Sequence, residues 1–205
     1  MPVPEGRPAR GIRQTAAMAD EPGPPVDGMR ARFLAAPEMR APEPWGDRVV
    51  VAVGGLVGVG FGTDPDSGRD LLLVASGTGL GLLGASGERL ARDYDQERGH
   101  PDGDLTCPGI GPLAGTRVRM AGLYGGGLHT VSADGWGVEV VGPDWPHHRV
   151  LLSAPWHSPW AGDHGVTWWH IFHSRYMPLR AAGFSPSGRT LAVAVGSDVA
   201  LWSRS

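Results

Sequence analysis

The residue types best suited to chemistry or recognition are concentrated between Trp136 and His173. This segment holds six of the eight tryptophans and six of the eight histidines of the 205-residue chain. Tryptophan offers a large contact area with one polar atom, and histidine is both a metal ligand and a proton carrier near neutral pH. The tryptophans are Trp136, Trp145, Trp156, Trp160, Trp168 and Trp169, and the histidines are His147, His148, His157, His164, His170 and His173. This composition predicts the functional region of the protein.

The favoured interpretation is a recognition surface for a protein or peptide partner. Loops on a rigid scaffold commonly carry function, and large aromatic side chains dominate the binding energy of many interfaces. A sugar ring is a second ligand that a tryptophan surface suits. The predicted partner-binding residues are Trp156, His157, Trp160, Trp168, Trp169 and His170.

The alternative interpretation is a metal-dependent hydrolase, because imidazole and carboxylate groups are zinc ligands. The candidate ligands are His157, Asp163, His164, His170 and His173. Their spacing matches no established ligand motif, and His170 and His173 would share a face only in a helix. A third interpretation places the tryptophans in the core and the histidines in solvated turns. For the favoured function we predict no catalytic residue and no cofactor.

Two other motifs are interpreted as structural. Gly79–Gly84 fits the G-x-G-x-x-G pattern of dinucleotide-binding turns. Such a turn must lead into a helix, which Gly84 and Gly87 would weaken, so we predict a strand over Leu80–Leu83. The chain has no G-x-S-x-G nucleophile motif, and its single cysteine, Cys107, lies in a loop-like stretch where we expect an inert thiol.

Composition excludes several classes of function. The chain contains neither lysine nor asparagine, which rules out a Walker A loop and a Schiff-base lysine. A net charge of −3 without a basic stripe argues against nucleic acid binding. No apolar run approaches the roughly 18 residues of a membrane span, and one cysteine fits a reducing compartment. We therefore predict a cytoplasmic protein that binds neither nucleic acid nor membranes.

The chain divides into two regions. Residues 1–44 are rich in proline and arginine, which is typical of a disordered tail, with a short helix over Met29–Ala36 as the alternative. Residues 45–205 are predicted to form one β-domain, with a Trp/His-rich insertion at about 142–178. Four methionines are candidate start residues: Met1, Met18, Met29 and Met39.

Three similar stretches recur in the β-domain. Phe61, Leu123 and Phe184 each follow a glycine and lie 62 and 61 residues apart. Each stretch continues with a turn, a strand, a second turn and a last strand. This pattern predicts three antiparallel meanders that cover each other's apolar faces. We therefore predict an all-β fold, a small or atypical β-propeller-like array of three meanders.

The last stretch carries a family resemblance. Residues 182–194, AGFSPSGRTLAVA, followed by Val199–Trp202, resemble a WD40-type propeller repeat, and residues 56–83 are similar to it to a lesser degree. The resemblance implies a scaffold that binds proteins or peptides without catalysis. The repeat length near 61 exceeds the usual range of about 40–45 residues, and the Gly-His and Trp-Asp signatures of the family are missing.

Three repeats are fewer than the roughly 4–8 blades of a propeller. A strand over Val49–Val53 is expected to pair with the last stretch, which would join the two ends of the β-domain and cover a sheet edge. Further blades are expected in residues 95–117 or 142–178, or in the second chain of a homodimer. An open, sandwich-like variant is the remaining alternative.

Overall fold

The computed structural model describes residues 26–204, which contain one α-helix and fourteen β-strands. The helix, α1, spans Val26–Ala35. The first eight strands are β1 (Val49–Ala52), β2 (Leu56–Thr63), β3 (Asp70–Ser76), β4 (Gly79–Leu83), β5 (Arg89–Asp93), β6 (Thr106–Pro108), β7 (Arg117–Arg119) and β8 (Ala121–Gly122). The other six are β9 (Gly137–Asp144), β10 (His147–Ser153), β11 (Trp168–His173), β12 (Leu179–Phe184), β13 (Thr190–Val195) and β14 (Asp198–Ser203).

These strands form four antiparallel sheets, which confirms the all-β prediction. Sheet I has the strand order β5-β4-β3-β2-β8, sheet II has the order β11-β10-β9, and sheet III has the order β1-β14-β13-β12. The fourth sheet contains only β6 and β7. The strand predicted over Leu80–Leu83 is confirmed as part of β4, so the glycine-rich segment does not open a helix.

The first strand completes the sheet made by the end of the chain. β1 pairs antiparallel with β14, and Val51 lies opposite Val199. The prediction that the strand near Val49 pairs with the last stretch is therefore confirmed. This pairing places both ends of the β-domain in one sheet, so sheet III cannot be completed until the whole domain has been made.

Sheet III is apolar on both faces, and β13 is buried along its whole length. Successive side chains of a strand point to opposite faces. Leu191 and Val193 therefore pack against sheet II, whereas Ala192 and Ala194 pack against sheet I. Sheet II contributes Val138, Val150, Leu152, Trp169, Ile171 and Phe172 to the first core, and sheet I contributes Val59, Leu72, Val74 and Leu83 to the second. Sheet III is thus the central layer of the protein.

Other elements cover the outer faces of sheets I and II. Leu71 and Leu73 of β3 pack in one cluster with Cys107 of β6 and Val118 of β7. Phe33 of α1 packs against Trp168 on the far side of sheet II. These two covers explain why the outer sheets remain apolar on both faces, because an uncovered apolar face would be exposed to water.

The prediction of a disordered tail is wrong for residues 26–44. These residues include α1, which covers sheet II, as the alternative of a short helix anticipated. Buried Arg149 of sheet II donates hydrogen bonds to the carbonyl oxygens of Phe33 (2.6 Å) and Ala36 (3.2 Å). A cation is favoured at this position because the C-terminal end of a helix carries partial negative charge. The rest of the predicted tail, residues 1–25, lies outside the described residues.

The first and last repeats form equivalent hairpins, β2–β3 and β12–β13, each with a bulge near its start. The glycine that precedes each phenylalanine has a structural reason. A Cβ at Gly60 would collide with the backbone of Arg119, and a Cβ at Gly183 would collide with Leu128. In both hairpins a neighbouring segment crosses the strand at the glycine, and only glycine leaves room for it.

The middle repeat does not form a third equivalent meander. Leu123 is exposed and follows β8, which only extends the edge of sheet I. The third large sheet is instead built by residues 137–173. The prediction of a Trp/His-rich insertion at about 142–178 is therefore wrong, because that segment contains the end of β9 and the whole of β10 and β11, which form sheet II, as one of the alternatives allowed.

The sheets are stacked in a row with α1 at one end and the β6–β7 sheet at the other. Among residues 26–204 no closed barrel and no closed ring of blades is detected, so the propeller-like arrangement stays a prediction. Over the same range, no helix has the length and apolar character needed to cross a bilayer.

Replacing Phe33 with alanine tests whether α1 belongs to the folded domain. We expect the free energy of unfolding to fall by about 3–5 kcal/mol, the usual cost of removing a buried phenylalanine ring. Leu34→Ala, at the next and more exposed position of the same helix, should change it by less than about 0.5 kcal/mol. Urea unfolding followed by tryptophan fluorescence measures both. Equal effects of the two substitutions would show that α1 does not cover sheet II.

Candidate functional site

The structure divides the six predicted partner-binding residues into two groups. Trp168, Trp169 and His170 lie on β11 and are buried. Trp168 faces α1 with only 1 % of its surface exposed, whereas Trp169 faces sheet III. The prediction that these three residues form a recognition surface is therefore wrong, because β11 is a core strand that is covered on both faces.

Trp156, His157 and Trp160 lie together in the loop that joins β10 to β11. We call this loop, residues 154–167, the tryptophan loop. All three side chains are exposed, and Trp156 is 81 % exposed. The two ends of the loop are held together by a hydrogen bond from the Ala154 N–H to the Thr167 carbonyl (2.9 Å). The loop therefore presents three of the predicted residues from a fixed base on sheet II.

Trp156 has an unusual backbone conformation. Its φ is +64°, in the left-handed region that a bulky residue rarely adopts. Its N–H donates to the carbonyl of Gly135 (3.0 Å), and its ring lies so close to Gly135 that a Cβ there would be 2.6 Å from Cε2 of the indole. The surrounding turn thus holds the most exposed tryptophan of the loop in a strained geometry, which costs about 1–3 kcal/mol.

Trp160 is fixed more firmly than Trp156. Its ring meets Phe33 of α1 edge-on, with 5.0 Å between the ring centroids. Its indole N–H donates a hydrogen bond to the carboxylate of Glu139 on β9. His157 is held locally, with Nδ1 2.9 Å from the carbonyl oxygen of Pro155. The loop side chains therefore have defined positions, although they face solvent.

The candidate metal ligands do not converge. The ring nitrogens of buried His170 lie 3.0 Å from the carbonyl oxygen of Ala36 and 3.1 Å from that of Phe172. His164 packs against a tryptophan ring. Within the described part of the chain, no three His, Cys, Asp or Glu side chains are grouped closely enough to hold a metal ion. The metal-dependent hydrolase, with His157, Asp163, His164, His170 and His173 as ligands, is therefore not supported.

A charged cluster that the sequence did not single out lies at the edge of sheet II. One carboxylate oxygen of Asp144 is 3.5 Å from the Arg149 guanidinium and 3.3 Å from Nε2 of His173. Burial by itself would raise the pKa of Asp144, but the hydrogen bond and charge of Arg149 outweigh it and hold that pKa below its usual value. The other ring nitrogen of His173 accepts a hydrogen bond from Arg175 (3.1 Å). The cluster links three strands and, through Arg149, holds α1.

Cys107 does not supply a nucleophile. Its side chain is fully buried on β6, and burial, with the nearby charge of Asp102, raises the pKa of its thiol to about 11. The thiolate is the reactive form of cysteine, so this thiol is unreactive at neutral pH. The expectation of an inert cysteine is consistent with this environment.

The buried histidines predict how stability depends on pH. Burial lowers the pKa of three histidines, His164, His170 and His173. These histidines therefore take up protons at a higher pH in the unfolded chain than in the folded chain. Their contribution to the free energy of unfolding is fully present above about pH 6.5 and is lost as the pH falls below that value. His170→Gln should flatten this dependence, measured by urea unfolding from about pH 7.5 to about pH 5. His129→Gln, at an exposed position, is the matched control and should leave the pH dependence of the unfolding free energy unchanged. The same pH dependence in H170Q as in the wild type would contradict a lowered pKa of His170.

The chain was also compared with known proteins. No family model, curated protein or solved structure matches it. The functional assignment therefore depends on the geometry of the tryptophan loop and of the sheets that hold it.

Proposed function

We propose that the protein is a non-catalytic interaction module that binds a protein or peptide partner through Trp156, His157 and Trp160. The observation that carries this proposal is the strained, exposed Trp156. A large aromatic side chain in solvent, held in a backbone conformation that glycine would adopt more easily, has no benefit for folding that we can identify. Strain of this kind tends to occur at ligand-binding positions.

The position of the loop supports the proposal. Tryptophan is the residue type most enriched at energetic hot spots of interfaces, because its wide apolar surface is combined with one hydrogen-bond donor. Trp160 is already fixed by Phe33 and Glu139. A partner would therefore bind a surface that loses little conformational freedom on association, which favours affinity.

We also propose that the three large sheets are related to propeller blades. Two hairpins with the same bulge and the same glycine contact support this relationship, together with the resemblance of residues 182–202 to a WD40-type repeat. The resemblance implies a scaffold that binds proteins or peptides, which agrees with a binding loop between β10 and β11. A buried, free cysteine agrees with a reducing compartment such as the cytoplasm.

Replacing Trp156 with glycine or with alanine tests whether the backbone at this position is strained. We expect W156G to be more stable than W156A by about 1–2 kcal/mol, because glycine adopts a positive φ without steric strain and alanine does not. Both variants should lose the contact area of the indole ring. Urea unfolding of the two variants measures the difference, and equal stabilities would show that the backbone at residue 156 is not strained.

Binding itself is measured with peptides selected by phage display on the wild-type protein. We expect W156A to weaken their affinity by about thirtyfold, the effect of losing a typical hot-spot residue of about 2 kcal/mol. Trp145→Ala, which removes another exposed tryptophan outside the loop, is the matched control and should bind as the wild type does. Peptides that bind W156A and the wild type equally would overturn the proposal, as would self-association of the chain that accounts for all binding to the loop.

A further inference from the structure

A cleft of about 540 Å³ lies between sheet III and sheet I. One wall is β1 with the residues that follow it, and the other wall is formed by β3, β4 and β5. The apolar floor includes Val51, Val74 and Leu83, which belong to the core between the two sheets. The cleft shares no residue with the tryptophan loop, which is attached to sheet II.

Two sheet edges border this cleft. Among the described strands, β1 pairs only with β14 and β5 pairs only with β4. The Val53 N–H donates to the Ser197 carbonyl (2.8 Å), so Val51 and Val53 direct their backbone groups toward the β14 side. Because these directions alternate along an antiparallel strand, Val50 and Ala52 direct their N–H and C=O groups to the free edge. An extended peptide could pair with that edge as an additional strand.

The charges in the cleft are positive. Its lining includes Arg89 and Arg92 and contains no carboxylate. Arg89 donates to the edge carbonyl of Ala52 (3.1 Å), and Arg92 donates to the hydroxyl and carbonyl oxygens of Thr78. Within residues 26–204, neither guanidinium lies within 4.0 Å of an acidic side chain, although the chain as a whole carries more acids than bases. Both guanidinium groups donate only to uncharged oxygens in this range, so their positive charges are available to bind carboxylates of a ligand.

The arginine side chains also have defined positions. A Cβ at Gly81 would lie 3.3 Å from the Arg92 guanidinium, so the glycine leaves space for the arginine to lie across β4. The same guanidinium lies 5.2 Å from the ring centroid of Tyr94, a cation–π contact. Tyr94 itself is 78 % exposed at the mouth of the cleft. The cleft thus combines a free strand edge, an apolar floor and two ordered cations.

We propose that this cleft is a second binding site, which takes an extended acidic peptide segment as a strand alongside β1. In the bound state, a peptide N–H replaces Arg89 at the carbonyl of Ala52, and the released guanidinium pairs with a carboxylate of the peptide. Arg92 binds a second carboxylate. The acidic side chains of the peptide face sheet I, because Arg89 and Arg92 lie on the face of that sheet that carries Leu83. The apolar side chains that alternate with them point to the opposite face.

The test uses three rhodamine-labelled peptides with blocked ends and the alternating sequences Glu-Val, Gln-Val and Lys-Val, titrated with the full-length protein and followed by fluorescence anisotropy. We expect only the Glu-Val peptide to bind. Arg89→Gln and Arg92→Gln should each weaken its binding by about tenfold, the effect of losing one hydrogen bond to a charged group. Arg119→Gln, at an exposed position of β7 outside the cleft, is the matched control and should bind as the wild type does.

Further arms distinguish the competing outcomes. W156A should bind the Glu-Val peptide normally, so a failure of the tryptophan-loop proposal would not affect this result. Citrate that displaces the peptide at equal carboxylate concentration would overturn the assignment to a peptide. Equal binding of the Lys-Val peptide, no binding of the Glu-Val peptide, or unchanged binding by R89Q and R92Q would overturn the proposal. Unchanged thermal unfolding of both variants shows that any loss is not a loss of folding.

Discussion

A sheet that is apolar on both faces must be covered from both sides, and this requirement organises the protein. In sheet III, β13 alternates between Leu191 and Val193 on one face and Ala192 and Ala194 on the other, and every one of these side chains is buried. Sheets I and II each cover one face, and each then has an outer apolar face of its own. The stack ends only where α1 and the β6–β7 sheet cover those outer faces. Because β1 supplies the edge strand of sheet III, the central layer also joins the start and the end of the domain.

This arrangement determines where function can be located. The interior of the stack is fully used for packing, as Trp168 and Trp169 illustrate, so recognition is confined to loops and sheet edges. The tryptophan loop begins and ends on adjacent core strands, and that rigid base holds Trp156 in a backbone conformation that a free loop would leave. The cleft beside β1 has the same origin, because it lies where two stacked sheets expose their edge strands. Both proposed sites therefore follow from the packing of the sheets.

The sequence predicted the parts of the fold that depend on local pattern. The branched run near Val49 indicated a strand, and the glycines at Gly84 and Gly87 excluded a helix after β3. The recurrence of glycine before Phe61 and Phe184 indicated two equivalent hairpins, and the structure gives the reason, since a crossing segment leaves no room for a side chain there. The glycine before Leu123 does not mark a third hairpin, because Leu123 lies in an exposed turn.

The candidate site was predicted only in part, for a physical reason. Trp156 and Trp168 have the same chemistry, and only tertiary packing decides which of them faces solvent. β11 is covered on both faces, so its apolar run gives no alternation that would reveal a surface. The tail was misjudged in a similar way, because Phe33 and its partner Arg149 are far apart in sequence and meet only when α1 covers sheet II.

The pairing of β1 with β14 is the central claim of this account, and amide hydrogen exchange measured by NMR tests it most directly. In an antiparallel edge strand, protection alternates, because every second amide is bonded to the neighbouring strand. We predict slow exchange for the amides of Val49, Val51 and Val53, similar to that of β14, and fast exchange for those of Val50 and Ala52. Uniformly fast exchange along residues 49–53, with β14 still protected, would contradict the account.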